Sequence, residues 1–586
     1  MLNLKKYTML FIKVLVKIMP NFVLDLLKKH PKLTALYSNG LHRSGLFYGR
    51  PSPSALAKLY KKNIQVQEFK ILNIGSKIID KEITLIVLIV INDSDLIQGL
   101  CESLQTINHS FSRIIFWCED AQFKSVQSLV RSVGASIPKL DVVTDLKSSL
   151  SLTSCFLIHE WDRLHPATVA ILKTHVSSKA DITYVDRDYL DQNGLRHDPD
   201  FFPDWNPDLQ LSTGYVSSGV LVANSEWLVG KNHLTLTAAG IGNWITTNYL
   251  LKRFQNIQHT PLVLLHSCKT GILDLTDVSS SFKKELESLA PIEVEMQVKG
   301  AVRHLKWKPK ILPLVSLIIP TKNGLALVRA CIESILSKTT YENYEIILVD
   351  NNSDESASLE YFAELSKHPQ IKVLKYPHPF NYSAINNYAV DVCQGEIIGL
   401  INNDIEVIEP EWLEYMVGHV LRDDIGCVGA KLLYPDDRIQ HAGVVMGYGG
   451  GAGHAHKYFP AHHEGYLRRL SGSNNYSAVT AACLLVSKHD YLAAGGLDAE
   501  KLEVAFNDVD FCLKILELGR RNIYCSEAVL YHYESVSRGV DDTHVKRARF
   551  VRELLFLQER WGDYIALDPA YNPNLTLRRE NFSISE

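Results

Sequence analysis

Asp404, in the carboxy-terminal half, is a candidate functional residue because of its position just after a predicted strand. Residues 397–401 are apolar and rich in isoleucine, which predicts a buried strand, and Asn402, Asn403 and Asp404 follow at once. In open α/β sheets ligands bind beyond the carboxyl ends of the strands, so a carboxylate here can hold a cation or a metal-bound phosphate. Residues of these types also form ordinary turns, and this stretch alone leaves both interpretations open.

A second aspartate takes an equivalent position. The pattern predicts a strand over 314–320, a helix over 325–336 and a second strand over 344–349, which together make a βαβ unit. Asp350 stands where that second strand ends. Because parallel strands end at the same edge of a sheet, we expect Asp350 and Asp404 to face one crevice.

Two more carboxylates, Asp508 and Asp510, stand before the apolar residues of a predicted helix. One interpretation is that they cap this helix and interact favourably with its dipole. The other is that one of them lies in a cleft beside a metal ion and takes the proton from an attacking hydroxyl. The residues alone leave both interpretations open.

Several histidines flank a glycine-rich stretch. His441 precedes residues 447–453, which lead to His454 and His456. We interpret the stretch as a loop that orders over a substrate, although a permanently mobile loop has the same composition. Two histidines at i and i+2 make a poor zinc site without further ligands, so these side chains are either structural or face a substrate.

His532 and Arg538 follow a strand predicted over 528–531. A neutral imidazole at this place is either a hydrogen-bonded core group or a ligand for a metal such as manganese. Arg538 either pairs a phosphate in a bidentate manner or lies in solvent.

The composition is that of an ordinary globular protein too long for a single core. Of the 586 residues, 46% are hydrophobic and 22% charged, and the formal net charge is -4, so no basic field points to nucleic acid. None of the ten cysteines forms a CxxC pair, which argues against a zinc module or a disulfide framework. We therefore expect a reducing compartment, the cytoplasm.

The amino-terminal segment 7–18 is apolar but contains Lys13 and Lys17, so it is too short and too charged to span a bilayer. Together with Lys6, these lysines fall on one stripe of a predicted helix. Such a helix could lie on an anionic membrane surface or pack on the next domain with its lysines outward, and both interpretations stay open.

The two halves of the chain share a faint repeat at a spacing of about 240 residues. The stretch Leu157–Asp162 followed by Pro166 is similar to Leu400–Asp404 followed by Pro410. The repeat predicts two copies of one fold.

Taken together, these motifs resemble the inverting, metal-dependent nucleotide-sugar glycosyltransferases of family 2, which have the GT-A fold. Among them the chain most resembles bacterial two-domain enzymes of the rhamnosyltransferase and O-antigen type. The resemblance covers about Pro313–Gly539. The motifs that carry it are Ile319-Pro320-Thr321-Lys322-Asn323, Val349-Asp350-Asn351, Asn402-Asn403-Asp404, Asn507-Asp508-Val509-Asp510, and His532 with Ser535–Gly539.

The resemblance implies a role for each matching residue. Asp508 is the catalytic base, and Asp404 and His532 hold Mn²⁺ or Mg²⁺. The residues implied in nucleotide binding are Pro320, Thr321, Asn323, Asp350, Asn402, Asn403 and Arg538. Those expected near the acceptor are His441, His454, His456 and Asp510. The usual two-acid metal motif has one carboxylate here, so Glu406 is a candidate helper and the diphosphate itself is expected to contribute to metal binding.

The predicted fold class is α/β, with two Rossmann-like GT-A domains in tandem, the first degenerate. In the first half, Ile89-Val90 stands where the second has Pro320-Thr321, and Trp244–Asn248 carries no carboxylate. That domain is expected to support the active one, to bind acceptor or to mediate self-association. The predicted divisions are an amphipathic segment 1–50, a degenerate domain 51–270, a connector 271–312, a catalytic domain 313–545, and a carboxy-terminal helix and tail 546–586.

The resemblance implies transfer of a sugar from a nucleoside-diphosphate sugar, of the dTDP-rhamnose or UDP-hexose type, to a glycan or lipid-linked glycan in bacterial surface polysaccharide synthesis. No nucleic acid partner is expected. Peripheral contact with the cytoplasmic face of the inner membrane and homo-oligomer formation stay open. Two other functions are compatible with the sequence: a non-catalytic glycan-binding or scaffold protein, and a sugar nucleotidyltransferase.

Overall fold

The computed structural model describes most of the chain after residue 52. Apart from isolated positions, the described ranges are 53–74, 82–105, 111–134, 139–147, 153–176, 179–229, 234–269, 292–534 and 544–585. The predicted amphipathic helix near the amino terminus and Arg538 lie outside them. No helix in these ranges is long and apolar enough to cross a membrane.

The first half builds a nine-stranded mixed sheet flanked by helices. Its strands are β1 (Ile83–Leu88), β2 (Arg113–Trp117), β3 (Leu140–Val143), β4 (Ser154–His159), β5 (Asp162–Leu164), β6 (Ile182–Leu190), β7 (Arg196–Asp200), β8 (Val220–Val222) and β9 (Ile257–Ser267). Its helices are α1 (Pro53–Asn73), α2 (Ser94–Leu104), α3 (Phe123–Val133), α4 (Thr168–Val176), α5 (Pro207–Thr213) and α6 (Gly240–Leu250). The strand order is β3-β2-β1-β4-β8-β6-β9-β5, and β7 pairs with β6.

A two-stranded antiparallel ribbon, β10 (Ile292–Lys299) and β11 (Val302–Pro309), leads into the second half. This ribbon lies inside the segment predicted as a connector.

The second half builds a ten-stranded mixed sheet. Its strands are β12 (Val315–Thr321), β13 (Tyr344–Asp350), β14 (Ile371–Lys375), β15 (Ile397–Ile401), β16 (Ile405–Val407), β17 (Ile425–Leu433), β18 (Ile439–His441), β21 (Asn474–Tyr476), β22 (Cys483–Ser487) and β23 (Arg521–His532), and a separate hairpin contains β19 (Val444–Met446) and β20 (Ala452–His454). Its helices are α7 (Leu325–Lys338), α8 (Ser356–Leu365), α9 (Tyr382–Val390), α10 (Trp412–Val420), α11 (Lys488–Ala493), α12 (Asn507–Glu517), α13 (His544–Arg560) and α14 (Gly562–Ala566).

The two sheets share one topology, to which the second sheet adds β21, paired with β23. The second sheet runs β14-β13-β12-β15-β22-β17-β23-β16, with β18 paired to β17, and each pair has the direction of its counterpart in the first sheet. The predicted fold class of two Rossmann-like domains is therefore confirmed, and the repeat suggested by the sequence is a repeat of the whole strand order.

The central strands of the second sheet are apolar on both faces because helices cover both sides. Leu317 and Ile318, neighbours on β12, enter different core clusters. One cluster includes residues of α7, α8 and α10, and the other includes residues of α9, α12 and α13. Two-sided burial of this kind explains the continuous apolar segments that the sequence shows at these strands.

A buried charge cluster joins the two domains. Asp208, in the first turn of α5, accepts a 2.5 Å hydrogen bond from Arg422 and also pairs with Arg521. Burial opposes ionisation of this carboxyl, but the two guanidinium groups hold the pKa of Asp208 well below its usual value. Beside it, Asn475 N donates to Asn206 Oδ1 at 3.0 Å. The Pro- and Asp-rich loop before α5 thus serves as a domain contact.

The carboxy-terminal tail forms a second tie between the domains. Asn572 Nδ2 donates to Asp186 Oδ2 at 3.0 Å and to the carbonyl of Phe202 at 2.7 Å, both in the first domain. Arg469, in the second domain, donates to the carbonyl of Ala570 at 2.7 Å. The tail therefore holds both halves in one arrangement.

Candidate active site

The carboxyl ends of β12, β13 and β15 bring the predicted nucleotide-binding residues to one edge of the second sheet. Asn403 Nδ2 donates to Thr321 Oγ1 at 3.0 Å, and Asn351 N donates to the carbonyl of Thr321 at 2.8 Å. Asp350 Oδ1 accepts from Ser353 N at 2.9 Å. Asn323, at φ 53°, accepts from the amides of Asp354 and Glu355, so the loops that follow β12 and β13 are tied together. Pro320 and Asn402 belong to the same edge.

Asp404 and His532 meet across β16 and β23. These strands are antiparallel with Ile405 opposite His532, and Tyr533 N donates to the carbonyl of Asp404 at 2.9 Å. As a result, His532 Nε2 lies 3.2 Å from Asp404 Oδ1 and 3.3 Å from Asn402 Nδ2. Both side chains predicted to hold the metal are buried and adjacent.

We tested whether these groups suit a divalent cation. His532 Nδ1 is buried and has no hydrogen-bond partner in the described part of the chain, so the imidazole is not locked into the core by both nitrogens. A carboxylate, an imidazole and an amide form a donor set that Mn²⁺ or Mg²⁺ accepts. The described residues contain no group of three or more His, Cys, Asp and Glu side chains with metal geometry, so oxygens of a diphosphate would have to complete the coordination.

The Glu406 carboxylate already has two partners in the protein. Its Oε2 accepts a 2.8 Å hydrogen bond from the hydroxyl of Tyr533, and its Oε1 lies 3.4 Å from Lys338 Nζ. These two contacts engage the Glu406 carboxylate, so we do not include it in the donor set, and its help in holding the metal stays a prediction.

Asp508 lies in the first turn of α12 and points to the start of β22. Its Oδ2 accepts from Ala481 N at 3.1 Å. The next residue, Ala482, accepts at its carbonyl from Asn402 N at 3.0 Å. Asp508 and Asn402, which stands two residues before Asp404, therefore contact the same short backbone segment, although the sequence separates them widely.

Burial raises the pKa of the Asp508 carboxyl, and the hydrogen bond from Ala481 N and an interaction with Thr480 oppose that rise only in part. A carboxylate with a raised pKa accepts a proton more readily than an ordinary aspartate. This is the property required of a general base.

His441 and His454 form a neutral pair beside the site. His441 Nε2 accepts from the amides of Gly443 and Thr480, at 3.3 and 3.4 Å, so the proton of this imidazole is on Nδ1, which lies 2.9 Å from His454 Nδ1. His454 Nδ1 is then the acceptor, and its Nε2 carries a proton. Burial lowers the pKa of His454 to about 3 and that of His441 well below its usual value. The half-buried His454 is thus left as a hydrogen-bond donor.

Two residues predicted near the acceptor have structural partners instead. His456 is buried, accepts from Tyr466 N at 3.0 Å and stacks on Phe582 with ring centroids 4.2 Å apart. Asp510 is buried and accepts from Trp561 Nε1 at 2.8 Å, with Arg560 at 3.3 Å. These contacts fix the tail and α13 on the domain and give both residues a structural role, and the acceptor role expected of them stays a prediction.

The glycine-rich stretch forms the hairpin of β19 and β20. Gly447 N donates to the carbonyl of Gly451 at 2.7 Å, and Gln558 of α13 donates to the carbonyl of Gly450 at 2.7 Å. A Cβ on Gly447, which has φ 94°, would come within 2.8 Å of the Ile565 carbonyl. The expectation of a loop that orders over substrate is therefore corrected: a packed hairpin presents His454.

The first sheet has lost the equivalent polar groups. By strand register, Cys118 stands where the second sheet has Asp350, Trp161 where it has Asp404, and Ser267 where it has His532. Glu160 takes the position of Asn403, and its carboxylate accepts from the amides of residues 90–92 at 2.7 to 3.3 Å. The end of β1 is thus occupied by the protein's own side chain.

Some parts of the site could not be expected from side-chain patterns. Ala481 contributes a backbone amide to Asp508, and the Ala482 carbonyl ties this segment to Asn402. Alanine carries no chemical signal, so only the pairing of β15 with β22 identifies these groups.

Parts of the chain are similar to known proteins. Residues 316–484 match the family described as Glycosyl transferase family 2. An uncharacterised protein y4gI of Sinorhizobium fredii is 42% identical over 432 residues, which is 71% of this chain and 47% of that protein. The O-antigen biosynthesis protein RfbC of Myxococcus xanthus is 33% identical over 427 residues, which is 68% of this chain and 31% of that protein. The chain therefore spans half or less of the length of these relatives.

Among solved structures, the chain is similar to a mannosyltransferase from Pyrobaculum calidifontis in complex with GDP-Man and Mn²⁺. The identity is 16%, the TM-score is 0.32, and the match covers 44% of this chain and 72% of that one. A likeness at this level is too distant to bear on the chemistry.

Proposed function

From the match of residues 316–484 to Glycosyl transferase family 2, we propose that the protein transfers a sugar from a nucleoside-diphosphate sugar to a hydroxyl group of a glycan or lipid-linked glycan. The donor is of the dTDP-rhamnose or UDP-hexose type. The name of the Myxococcus xanthus relative supports a place in surface polysaccharide synthesis, of O-antigen or capsule type.

The link that residues 481–482 make between Asp508 and Asn402, two residues before Asp404, is the observation that carries this proposal. Asp508 takes the proton of the acceptor hydroxyl while that oxygen attacks the anomeric carbon. The bond from this carbon to the diphosphate breaks on the opposite face, so a single displacement inverts the configuration. Asp404 and His532 would hold a divalent cation, which would supply positive charge for the leaving diphosphate.

The remaining residues at the edge position the donor. We assign Asp350 and the ends of β12 and β15 to the nucleoside, because their polar groups converge where the parallel strands stop. Arg538 is proposed to pair the diphosphate. His454 Nε2 is proposed to donate to a hydroxyl of either sugar.

The cytoplasm is the proposed compartment. All ten cysteines are free thiols, and nine of them are buried, which suits a reducing environment. Peripheral contact with the inner membrane would bring the enzyme to a lipid-linked acceptor. The surface that would make this contact is not assigned.

Incubation with a panel of sugar nucleotides tests the function. We expect release of a nucleoside diphosphate and transfer of the sugar to an acceptor, with the anomeric configuration of the product, read by NMR, opposite to that of the donor. Release of pyrophosphate would instead identify a nucleotidyltransferase. Binding of glycans without any turnover would identify a scaffold protein.

A further inference from the structure

A second cavity lies at the carboxyl edge of the first sheet. Its volume is about 1240 Å³, more than the 300–1,000 Å³ of a usual small-molecule site. Trp161 and Ser267, which replace the metal ligands of the second sheet, are among its walls. The helix α1, residues 465–468 of the second domain and the carboxy-terminal tail complete it, so both halves of the chain build this cavity.

The cavity is not a second donor site. The positions equivalent to Asp350 and Asp404 carry Cys118 and Trp161, neither of which can replace the missing carboxylate. The Glu160 carboxylate accepts hydrogen bonds from the backbone amides after β1. These amides lie at the end of the first sheet that corresponds to the nucleotide side of the second. A nucleoside diphosphate would therefore find neither a cation site nor free amides here.

The cavity lies instead on the acceptor side. Ser217, in its wall, stands three residues before Val220, and Ala481 stands three residues before Leu484 in the second sheet. Val220 and Leu484 pair with equivalent positions of β4 and β15, so Ser217 and Ala481 are equivalent. Because Ala481 anchors the base Asp508, Ser217 marks the corresponding place where an acceptor hydroxyl would lie.

The lining suits carbohydrate. Trp161, Tyr189 and Tyr466 offer aromatic rings, which can cover the apolar C–H faces of sugar rings. Between them Arg187 Nε donates to Asp200 Oδ2 at 2.8 Å, and the hydroxyl of Tyr189 donates to the same oxygen at 2.9 Å. Such charged pairs can bind several hydroxyl groups of a neutral ligand at once.

Positive charge exceeds negative charge in the lining. The cationic side chains there are Lys61, Arg187, Arg196, Lys269 and Arg468, and the carboxylates are Asp198 and Asp200. Arg187 pairs with Asp200, and Arg196 pairs with Asp188 and Glu68 behind the lining, so the excess comes from Lys61, Lys269 and Arg468 against Asp198. The excess favours a glycan that carries acidic groups.

We propose that this cavity binds an oligosaccharide segment of the acceptor, some distance from the sugar that reacts, and so holds the growing chain on the enzyme. The identity of the ligand rests on the proposed function. The site itself rests on the geometry of the first domain.

Binding is tested with the full-length Asp508→Asn variant, which is expected to stop transfer, on an array of bacterial surface oligosaccharides without sugar nucleotide. We expect binding to at least one oligosaccharide, confirmed by calorimetry. Ala57→Trp places a bulky ring on α1, at an exposed residue of the cavity wall, and should weaken binding at least about tenfold. The double change Lys269→Glu and Arg468→Glu should weaken binding of acidic oligosaccharides to a similar extent.

Lys58→Trp is the matched control, because Lys58 is the next residue on α1, is exposed and is not part of the lining. It should bind like the parent, and thermal unfolding should show that all variants fold. Absence of binding anywhere on the array, or binding that the cavity variants leave unchanged, would overturn the proposal. Release of nucleoside diphosphate by the parent is measured separately, so failure of the proposed function can be told from failure of this site.

Discussion

His532 Nε2 lies 3.2 Å from Asp404 Oδ1, and the register of β16 on β23 alone brings them together. In an antiparallel pair, a slip of one residue would turn His532 to the opposite face. On β16, the residue before Ile405 is the carboxylate Asp404. In the first sheet, the residue before the equivalent Asp162 is Trp161. The same strand register thus places different side chains at the edges of the two sheets.

Metal dependence follows from this pair. Because only one carboxylate and one imidazole are available, Asp404→Asn and His532→Ala should each raise the Mn²⁺ concentration for half-maximal activity at least about tenfold. Chelation by EDTA should abolish turnover, and added Mn²⁺ should restore it.

Glu406→Gln is the control for these variants, because the structure ties that carboxylate to Tyr533 and Lys338. It should keep the metal dependence of the parent. An unchanged metal response in Asp404→Asn would exclude the proposed cation site.

The base is tested by Asp508→Asn, which keeps the shape of the side chain and removes the proton acceptor. Sugar transfer should fall about 10³-fold, within the usual range for loss of a general base. Since burial raises the pKa of this carboxyl, the folded protein binds its proton more tightly than the unfolded chain. At pH values above this raised pKa, the charged Asp508 carboxylate lowers the free energy of unfolding. The Asn variant should therefore unfold at the same or a higher temperature at neutral pH.

Asp510→Asn makes a matched comparison two residues along the same helix. Loss of a carboxylate oxygen beside Trp561 and Arg560 should lower the free energy of unfolding by about 1–3 kcal/mol. Its effect on transfer should be small next to that of Asp508→Asn. Equal transfer by Asp508→Asn and the parent would exclude Asp508 as the base.

The pH dependence of kcat/KM should also reflect the role of Asp508 as the base. A base works only when deprotonated, so kcat/KM should fall as the pH drops through the raised pKa of Asp508, above the usual value of about 3.9. His441 and His454 should add no step near neutrality, because burial keeps both neutral there. A flat profile down to pH 4 would contradict the assignment.

The domain interface is tested by Asp208→Ala. This change leaves Arg422 and Arg521 buried beside each other with less compensating charge, and should destabilise the protein by about 3–5 kcal/mol in chemical denaturation. Asp423→Ala, an exposed acid next to Arg422, should change stability by no more than about 0.5 kcal/mol. Equal effects of the two changes would mean that the cluster does not hold the domains together.

Much of the second domain could be predicted from local pattern. The apolar segments before Asp350 and Asp404 are strands buried on both faces, and such strands need little beyond hydrophobicity and a polar end to be recognised. The first half was harder, because its polar groups are gone and only the strand order reveals the repeat.

Residue type alone predicts least where a side chain has two possible partners. Asp510 and His456 have the residue types of a site, but packing of α13 and the tail captures them, and the glycines of 447–453 pack as a hairpin. No short-range pattern shows which distant segment will cover a helix or a turn.

The sequence by itself determined the two-domain α/β architecture and the order of the acidic motifs, because hydrophobic period and strand-end polarity are local properties of the chain. Only the tertiary structure decided that Asp508 reaches Ala481, that Glu160 fills the end of β1, and that both halves enclose a cavity beside Trp161. Those relationships depend on strand register and on contacts between segments hundreds of residues apart. Neither can be read from a single stretch of the sequence.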